Sequence, residues 1–444
     1  MIVMKFGGTS VGTPESIRAT CTLIKNVLDR KPLVVVSAHN SPHCRMTDTL
    51  VKSANAALTG KPNPQEVIDL QHWIVDGLGL SRDLVDDLLK QYSELLTGIH
   101  MLGEISPRTL DMVMSFGERM SCRVVAEVLR REFGVESQAV TAMDLGLRTD
   151  GVYGAATPDE KSYADIRHNV QEMGDTVIIT TGFMGLGPDG HITTLGRGGS
   201  DFSGTIFGAA VHAEEVQIWT DVDGVMSTDP KVAPLAKSIP TLTFAEAAEL
   251  AWFGAKVLHP STMMPAMKYN IPVRVLNTKK PEHPGTVIVA HCDDGEHIAK
   301  SIAYRKNITL LTITSSRMLG IHGFMAKVFE ICGKHELDIH MIATSEVSVS
   351  LTSPNNEKAA AAAEELRLYG EVKVELDKAL LSVVGENMAG VPGVTARVTG
   401  ALAKAKVNIY MISQGASEIN IALLIRAADL DRAVAALHKE IFED

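Results

Sequence analysis

The chain has 444 residues, more than the roughly 100–200 typical of one domain, so we expect two or three domains. Apolar residues make up 45% and charged residues 21%, a balance that excludes bulk disorder. Lys and Arg number 42 against 53 Asp and Glu, a net charge of −11 that repels nucleic acid. We therefore expect no nucleic-acid partner, and a local basic site for any anionic ligand.

The chain shows no sign of a membrane span or a disulfide framework. No apolar run approaches the roughly 18 residues that a spanning helix needs, and the N-terminus lacks the apolar core of a signal peptide. The five Cys are far apart and odd in number, with no CxxC pair. We expect a cytoplasmic protein without a membrane partner.

The first 290 residues alternate short apolar runs with amphipathic stretches. Pro14-Glu15 opens a predicted helix over Ser16–Leu28, and residues 60–103 are mostly helical by pattern. Strands are predicted at Met1–Phe6, Leu33–Ser37, Thr176–Thr181 and Val216–Thr220. The continuous apolar, β-branched runs among them are typical of strands covered on both faces. The pattern predicts an α/β domain over 1–290, with a mostly parallel sheet and ligands at the carboxyl ends of its strands.

A segment rich in Pro, Gly and charge, 279–285, is interpreted as a boundary zone, and the chain beyond it repeats at an offset of 70. Met318, Gly323 and Ala326 recur as Met388, Gly393 and Ala396. Each copy is predicted as strand, Gly-containing loop, helix, strand, strand. One copy alone is too small to be stable, so we expect the copies to pack together or across a dimer. The predicted modules are 306–380 and 381–444, the second completed by a strand from 298–305.

Three familiar signatures are better explained without a ligand. Residues 185–190 match GxGxxG but contain a Pro-Asp-Gly turn and precede a strand-like run, which indicates a hairpin. His335 and His340 are five residues apart, one too many for a zinc-binding helix face. His291, Cys292 and His297 lie in a polar linker. We predict no resident metal site.

Two Gly-rich strand ends have both a structural and a functional interpretation. Gly7 and Gly8, after Lys5, suit a phosphate cradle and a plain tight turn about equally. Arg197, between glycines, can present its fork to a carboxylate, and Asp201 can orient a cation; the alternative is a surface turn. Glu118, in the segment SFGER, is predicted at a turn before a helix, where it could simply be a helix-start charge.

Taken in order, five motifs resemble those of the aspartate kinases (aspartokinases) of the amino-acid kinase superfamily. They are KFGGTSVG (5–12), SFGER (115–119), GRGGSD (196–201), TDVDG with TDP (220–224, 228–230) and FGAKVLHP (253–260). The duplicated tail resembles the paired ACT domains of the same enzymes. The resemblance covers the whole chain and implies a carbamate-kinase-like three-layer α/β sandwich followed by two ferredoxin-like ACT domains.

The resemblance also implies the reaction. These enzymes transfer the γ-phosphoryl of MgATP to the side-chain carboxylate of L-aspartate, giving 4-phospho-L-aspartate and ADP, the first step of lysine, threonine and methionine biosynthesis. The attacking carboxylate is already ionised at neutral pH, so the protein has to position two anions and neutralise the charge between them. The implied cofactors are ATP and Mg²⁺. The implied partners are an amino-acid effector, lysine first, and further copies of the chain in a homodimer or larger homo-oligomer.

The family pattern assigns roles to particular positions. Lys5 and Asp201 are implied as catalytic, with Lys5 contacting the phosphate and the attacking carboxylate. Glu118 is implied as acceptor for the aspartate ammonium and Arg197 as clamp for its α-carboxylate, within a substrate set of Ser37, Thr47, Glu118, Arg197 and Ser200. The implied nucleotide set is Lys5, Phe6, Gly7, Gly8, Thr220, Asp221, Met226, Lys231, Lys256 and Val257. The implied effector set is Met318, Gly323, Phe324, Met325, Thr344, Ser345 and Glu346.

Three departures from the family pattern are visible. The segment 37–47 is longer and more basic than usual, Met226 stands where relatives often carry Tyr, and His340 stands where lysine-sensitive relatives carry Asp. We expect no fused homoserine dehydrogenase after Asp444. A kinase for glutamate or N-acetylglutamate and a non-catalytic amino-acid sensor are the alternatives. The ACT pair together with SFGER and GRGGSD argues against the first. Retention of Lys5, Glu118, Arg197 and Asp201 argues against the second.

Overall fold

The computed structural model describes residues 1–42, 44–254, 258–292, 298–318, 322–415, 417 and 419–443. Its strands, in chain order, are β1 (Ile2–Phe6), β2 (Pro32–Val36), β3 (Ser137–Val140), β4 (Val177–Thr181), β5 (Met184–Leu186), β6 (Ile192–Thr194), β7 (Val216–Thr220), β8 (Thr241–Thr243), β9 (Val273–Asn277), β10 (Thr286–Val289), β11 (Ser301–Thr314), β12 (Ile342–Thr344), β13 (Ser348–Ser353), β14 (Glu371–Val384), β15 (Met411–Ser413) and β16 (Asn420–Arg426). Its helices are α1 (Pro14–Lys25), α2 (Met46–Thr59), α3 (Gln65–Gly77), α4 (Asp83–Leu102), α5 (Pro107–Phe133), α6 (Ser162–Glu172), α7 (Gly199–Val211), α8 (Phe244–Trp252), α9 (Pro260–Lys268), α10 (Phe324–Lys334), α11 (Asn356–Leu366), α12 (Val394–Lys404) and α13 (Leu430–Phe442).

The chain divides into two compact units. The first comprises residues 1–225 and 258–291, and the second comprises 226–257 and 292–444. Among the described helices, none combines the length and the apolar character that a membrane span requires.

The first unit is built on a mostly parallel sheet, as the sequence predicts. Its strands lie in the order β3-β4-β2-β1-β7-β9-β10, and the pairs are parallel except for β9 with β10. The segment 279–285, interpreted above as a boundary, is instead the connection between antiparallel β9 and β10. Its Pro and Gly residues serve a turn inside the unit.

The two faces of β1 separate two helical layers. Ile2, Met4 and Phe6 belong to a buried core formed with α1–α5. Lys5 points to the other face, where its Cβ would lie 3.2 Å from a Cβ added at Gly204 of α7. The sheet is therefore covered on both faces, which explains why the strand sequences are continuously apolar.

Helix α5 corrects one sequence prediction. Residues 115–119 (SFGER) lie in the middle of this helix, so the predicted turn before a helix is wrong. The helix begins earlier because the Ser106 side chain accepts a hydrogen bond from Thr109 N and Pro107 follows directly, a strong start signal. The helix has Gly at position 117 because there is no room for a side chain: a Cβ there would lie 2.6 Å from the Cβ of Ala38.

The second unit contains the duplicated modules, and the offset of 70 is confirmed in three dimensions. Strand β14 and helix α12 begin and end 70 residues after β11 and α10 respectively. The strands form one antiparallel sheet in the order β12-β13-β11-β14-β16-β15. The two copies thus pair edge to edge within one chain.

Strand β11 pairs with β13 of the first copy and with β14 along two separate parts. Its first part, 301–305, pairs with 380–384, and after a bulge its second part, 308–314, pairs with 371–378. A bulge lets one strand bend between two local sheets. The predicted residue boundaries of the modules stay a prediction.

A buried ion pair lies in the second unit between the segment 226–257 and the start of β11. Lys300 Nζ is 3.3 Å from Glu246 Oε2, and their side chains are 7% and 0% exposed. The Glu246 carboxylate also accepts bonds from the N–H groups of Thr243 and Glu386, at 2.8 Å each. Buried charges of this kind persist only when both are paired.

We expect Lys300→Met to destabilise the protein by about 3–5 kcal/mol, because it leaves the Glu246 carboxylate buried without its cation. The measurement is urea unfolding followed by circular dichroism. Lys373→Met, which removes an exposed pair with Glu375, is the matched control and should cause a much smaller loss. Equal midpoints for the two variants would show that the buried pair contributes no more than the exposed one.

Candidate active site

A cavity of about 430 Å³ opens at the carboxyl ends of β1 and β2 in the first unit. Five chain segments contribute to its wall: the end of β1 with Gly8, residues 37–40 and 45–48, the middle of α5, Phe183 after β4, and the turn 196–201. The lining residues are Lys5, Gly8, Ser37, Ala38, His39, Asn40, Arg45, Met46, Thr47, Asp48, Glu118, Phe183, Gly196, Arg197, Gly198, Gly199, Ser200 and Asp201. The position is the one predicted for a parallel α/β sheet.

Lys5 and Asp201 form an ion pair inside this cavity. The Lys5 Nζ lies 2.6 Å from Asp201 Oδ1, and Lys5 is 7% exposed. Lys5 comes from the sheet face that packs on α7, and Asp201 lies in the first turn of that helix, so the two elements bring the pair together. A cation is therefore held at a fixed point where anionic groups can reach it.

Glu118 brings a buried carboxyl group to the same cavity. It is 3% exposed, and burial raises its pKa to about 8 against the opposing effects of the Ala38 N–H and of Lys5. Its Oε2 has no hydrogen-bond partner among the described residues. An unsatisfied buried carboxyl group is an acceptor in need of a donor, and a ligand ammonium would supply one.

The glycines after β1 allow two loops to meet at the cavity. A Cβ at Gly8 would lie 2.6 Å from Ala38 O, and a Cβ at Gly12 would lie 2.1 Å from Asn40 O. The Asn40 N–H donates to Gly8 O at 2.9 Å. Close backbone approach thus accounts for Gly8 and Gly12, and Gly8 also lines the cavity.

The turn that carries Arg197 follows a β-hairpin. Strands β5 and β6 pair antiparallel around residues 187–191, so the hairpin predicted in place of a dinucleotide motif is confirmed. Gly196 and Gly198 have φ of 73° and 72°, which favours glycine, and Gly199 N donates to Gly196 O at 2.9 Å. Arg197 is exposed at the cavity and makes no ion pair with a described residue.

The structure brings all seven predicted catalytic and substrate residues into one cavity, together with Gly8 of the predicted nucleotide set. Those that line it are Lys5, Gly8, Ser37, Thr47, Glu118, Arg197, Ser200 and Asp201. Phe6 and Gly7 lie at the end of β1, and Thr220 and Asp221 lie at the end of the neighbouring β7 without appearing among the described lining residues. Met226 and Lys231 belong to the second unit, and Lys256 and Val257 lie outside the described residues.

Sequence reasoning did not single out several lining residues, among them His39, Asp48 and Phe183. His39 is fully buried, and burial lowers its pKa to about 4, so its imidazole is neutral at physiological pH. Its Nδ1 lies 3.0 Å from Gln71 Nε2 on α3. For His39 the available signal was the unusual basic segment 37–47, which does not indicate where each side chain points, and Asp48 and Phe183 lie outside that segment.

The predicted effector positions lie at two places in the first repeat. Met318 precedes α10, Gly323 is the N-cap of that helix with φ of 89°, and Phe324 and Met325 begin it. Thr344, Ser345 and Glu346 lie exposed at the end of β12 and in the turn to β13.

Comparison with known families covers nearly the whole chain. Residues 1–277 match the amino acid kinase family, and residues 311–365 and 381–441 match the ACT domain. Together with the parallel sheet of the first unit and the antiparallel sheet of the second, these matches confirm the predicted fold class.

Individual relatives match over nearly the whole of this chain. Aspartokinase 1, chloroplastic, of Arabidopsis thaliana is 37% identical over 461 residues, covering 99% of this chain and 80% of that protein. Lysine-sensitive aspartokinase 3 of Escherichia coli (strain K12) is 35% identical over 462 residues, covering 100% and 99%. The crystal structure of E. coli aspartokinase III in complex with aspartate and ADP (R-state) matches with a TM-score of 0.83 and 34% identity over 100% of both chains.

Because the pKa of Glu118 is raised to about 8, its carboxyl group should be protonated at pH 6.5 and ionised at pH 9.5 in the ligand-free protein. Infrared difference spectra between these pH values should show loss of one carboxylic C=O band near pH 8, absent in Glu118→Gln. A wild-type spectrum identical to that of the variant would contradict the raised pKa.

Proposed function

This chain belongs to the aspartokinases of the amino acid kinase family, and we propose which of its residues bind the substrates and which act in catalysis. It is an aspartate kinase that transfers a phosphoryl group from ATP to the side-chain carboxylate of L-aspartate. The observation that carries the proposed assignment is one cavity lined by three charged features. They are the Lys5–Asp201 pair, the Glu118 carboxyl group, whose Oε2 has no hydrogen-bond partner among the described residues, and Arg197, which makes no ion pair with them.

The substrate has three charged groups, and the cavity offers a complementary group for each. Glu118 binds the α-ammonium, which supplies the donor that its buried carboxyl group lacks. Arg197 binds the α-carboxylate through its planar fork. The side-chain carboxylate then reaches Lys5, while Ser37, Thr47 and Ser200 add polar contacts from the cavity wall.

Lys5 acts where charge accumulates during transfer. The attacking carboxylate and the γ-phosphoryl are both anionic, and a fixed cation between them lowers the cost of their approach. Asp201 keeps the Lys5 ammonium in place. The carboxylate needs no general base, which fits a cavity whose buried histidine, His39, is neutral and is paired with Gln71.

Phe6, Gly7, Gly8, Thr220 and Asp221 are proposed to contact the nucleotide from the ends of β1 and β7. Met226, Lys231, Lys256 and Val257 complete the proposed set, with the two lysines matching the polyphosphate charge.

Mg²⁺ is proposed to arrive with ATP. Among the described residues no group of three His, Cys, Asp or Glu side chains could hold a metal ion. That fits Mg²⁺, which kinases usually bind through one or two carboxylates and the substrate phosphates. Asp201 would be its protein ligand, and the ion would neutralise phosphate charge.

We also propose feedback regulation through the ACT pair, with lysine as the first effector to test, because one close relative is described as lysine-sensitive. Glu346 is exposed and would hold an effector ammonium. A homodimer or larger homo-oligomer and a cytoplasmic location are part of the same proposal.

The assay is formation of aspartyl hydroxamate from MgATP, L-aspartate and hydroxylamine. Wild type should form it, and Lys5→Ala should reduce kcat by roughly 10²–10³-fold, because one charged contact to the transition state is lost. Lys31→Ala, which removes an exposed pair with Asp175, is the matched control. Near-normal kcat in folded Lys5→Ala would refute the role of Lys5, and hydroxamate from glutamate or N-acetylglutamate alone would refute the substrate.

Lysine should inhibit this enzyme more weakly than it inhibits relatives with Asp at position 340, and Glu346→Ala should remove the inhibition without changing the uninhibited rate. The physical reason is that only one of two acidic groups remains for the effector's charge. Glu357→Ala, another exposed acid of the same module, is the control. Initial rates and calorimetry with lysine, threonine and methionine decide the matter; no response to any of them, or an unaltered response in the Glu346 variant, would refute this site.

A further inference from the structure

Asp111 is a buried acid outside the cavity that the reaction described above does not use. It lies on α5, seven residues before Glu118, and is 1% exposed. Seven residues are about two helical turns, so both carboxyl groups lie on one face of the helix.

The Asp111 carboxylate accepts three hydrogen bonds from two other segments. Its Oδ2 accepts from Thr194 N at 2.8 Å and from Gly154 N at 3.0 Å, and its Oδ1 accepts from the Thr194 hydroxyl at 2.8 Å. Charge-assisted bonds to a buried carboxylate are stronger than neutral ones. The carboxylate therefore joins α5, the end of β6 and the loop at 154.

These bonds fix the entry to the Arg197 turn. Thr194 ends β6, and its carbonyl accepts from Ala156 N at 2.9 Å. A Cβ at Gly196 would lie 2.9 Å from Gly154 O, so the loop at 154 also packs closely against the backbone directly before Arg197. Arg197 itself is exposed and unpaired among the described residues, so its position depends on the backbone that precedes it.

From this geometry we infer that Asp111 is a positioning residue, which sets the Arg197 turn and Glu118 at a fixed separation by tying the turn to the helix that carries Glu118. The inference rests on the proposed function for its kinetic consequence. One helix then holds one end of the substrate directly and the other end through a carboxylate–backbone link. The separation matters because the α-ammonium and α-carboxylate of an amino acid are attached to one carbon.

The side chain's shape matters more than its charge. In Asp111→Asn, the amide oxygen can occupy the Oδ2 position and accept from both N–H groups. The amide N–H can then donate to the Thr194 hydroxyl, which rotates to accept. The Asn variant should therefore keep the link, whereas Asp111→Ala should break it.

The test measures kcat and both KM values in the full-length protein. Asp111→Ala should raise the KM for aspartate by roughly ten- to hundredfold, in the same direction as Arg197→Ala, while the KM for ATP changes little. Asp111→Asn should restore the wild-type KM. Ser137→Ala, which removes a buried 2.8 Å bond from Ser137 to the Ala126 carbonyl of the same helix, should lower stability without shifting either KM.

A second readout does not depend on activity. Hydrogen exchange of the backbone over 193–199 should be faster in Asp111→Ala than in wild type, Asp111→Asn or Ser137→Ala. Unchanged exchange in folded Asp111→Ala would overturn the positioning role, as would equal rises in both KM values. If wild type forms no aspartyl hydroxamate, the proposed function fails while the exchange experiment still decides the link.

Discussion

The buried contact between Lys5 and Asp201 is the constraint around which the first unit is arranged. A lysine that is 7% exposed is costly unless its charge is met, and Asp201 meets it at 2.6 Å. The contact requires β1 and the first turn of α7 to lie side by side, and the lack of a side chain at Gly204 allows that approach. A cation thus reaches the end of the sheet, inside the cavity.

The same cavity contains the Glu118 carboxyl group, which is mostly protonated at neutral pH in the absence of ligand. The charge of Lys5 lowers the pKa of Glu118, but burial outweighs it and the pKa rises to about 8. Lys5 is already paired with Asp201, which explains why its compensation is incomplete. If Glu118 binds the substrate ammonium as proposed, binding favours its ionised form and would be linked to proton release from Glu118.

Local patterns predicted much of this architecture. Strands β1 and β7 follow from continuous apolar runs, and the hairpin at 187–191 follows from a Pro-Asp-Gly turn, because each depends on neighbouring residues alone. The offset of 70 predicted two equal modules because identical folds preserve identical spacing. The predicted helix Ser16–Leu28 runs instead over Pro14–Lys25, since Thr13 caps it with a reciprocal pair of hydrogen bonds to Ser16.

Contacts between distant segments were beyond the reach of sequence patterns. The helix through Glu118 was misread because Gly117 indicates a turn, whereas its real cause is the approach of Ala38 from another loop. Asp111 and Thr194 are 83 residues apart, so no local pattern joins them. The spacing of seven residues between Asp111 and Glu118 was visible, but it identifies a face only once both are known to lie on one helix. The grouping of 226–257 with 292–444 likewise depends on long-range contacts such as that between Glu246 and Lys300.

The neighbours of His340 determine the protonation of its imidazole ring. Its Nε2 lies 3.2 Å from an Arg305 nitrogen, and its ring lies 5.2 Å from the ring of Trp252. A guanidinium only donates, so Nε2 is the acceptor and Nδ1 carries the proton. Burial, reinforced by the charge of Arg305, lowers the pKa of His340 to about 4, and the imidazole is neutral near pH 7. A neutral ring neither attracts an effector ammonium as Asp would nor repels it as a cation would. At the proposed effector site, His340 in place of Asp would therefore remove attraction without adding repulsion, so the expected result is weakened lysine inhibition and not its loss.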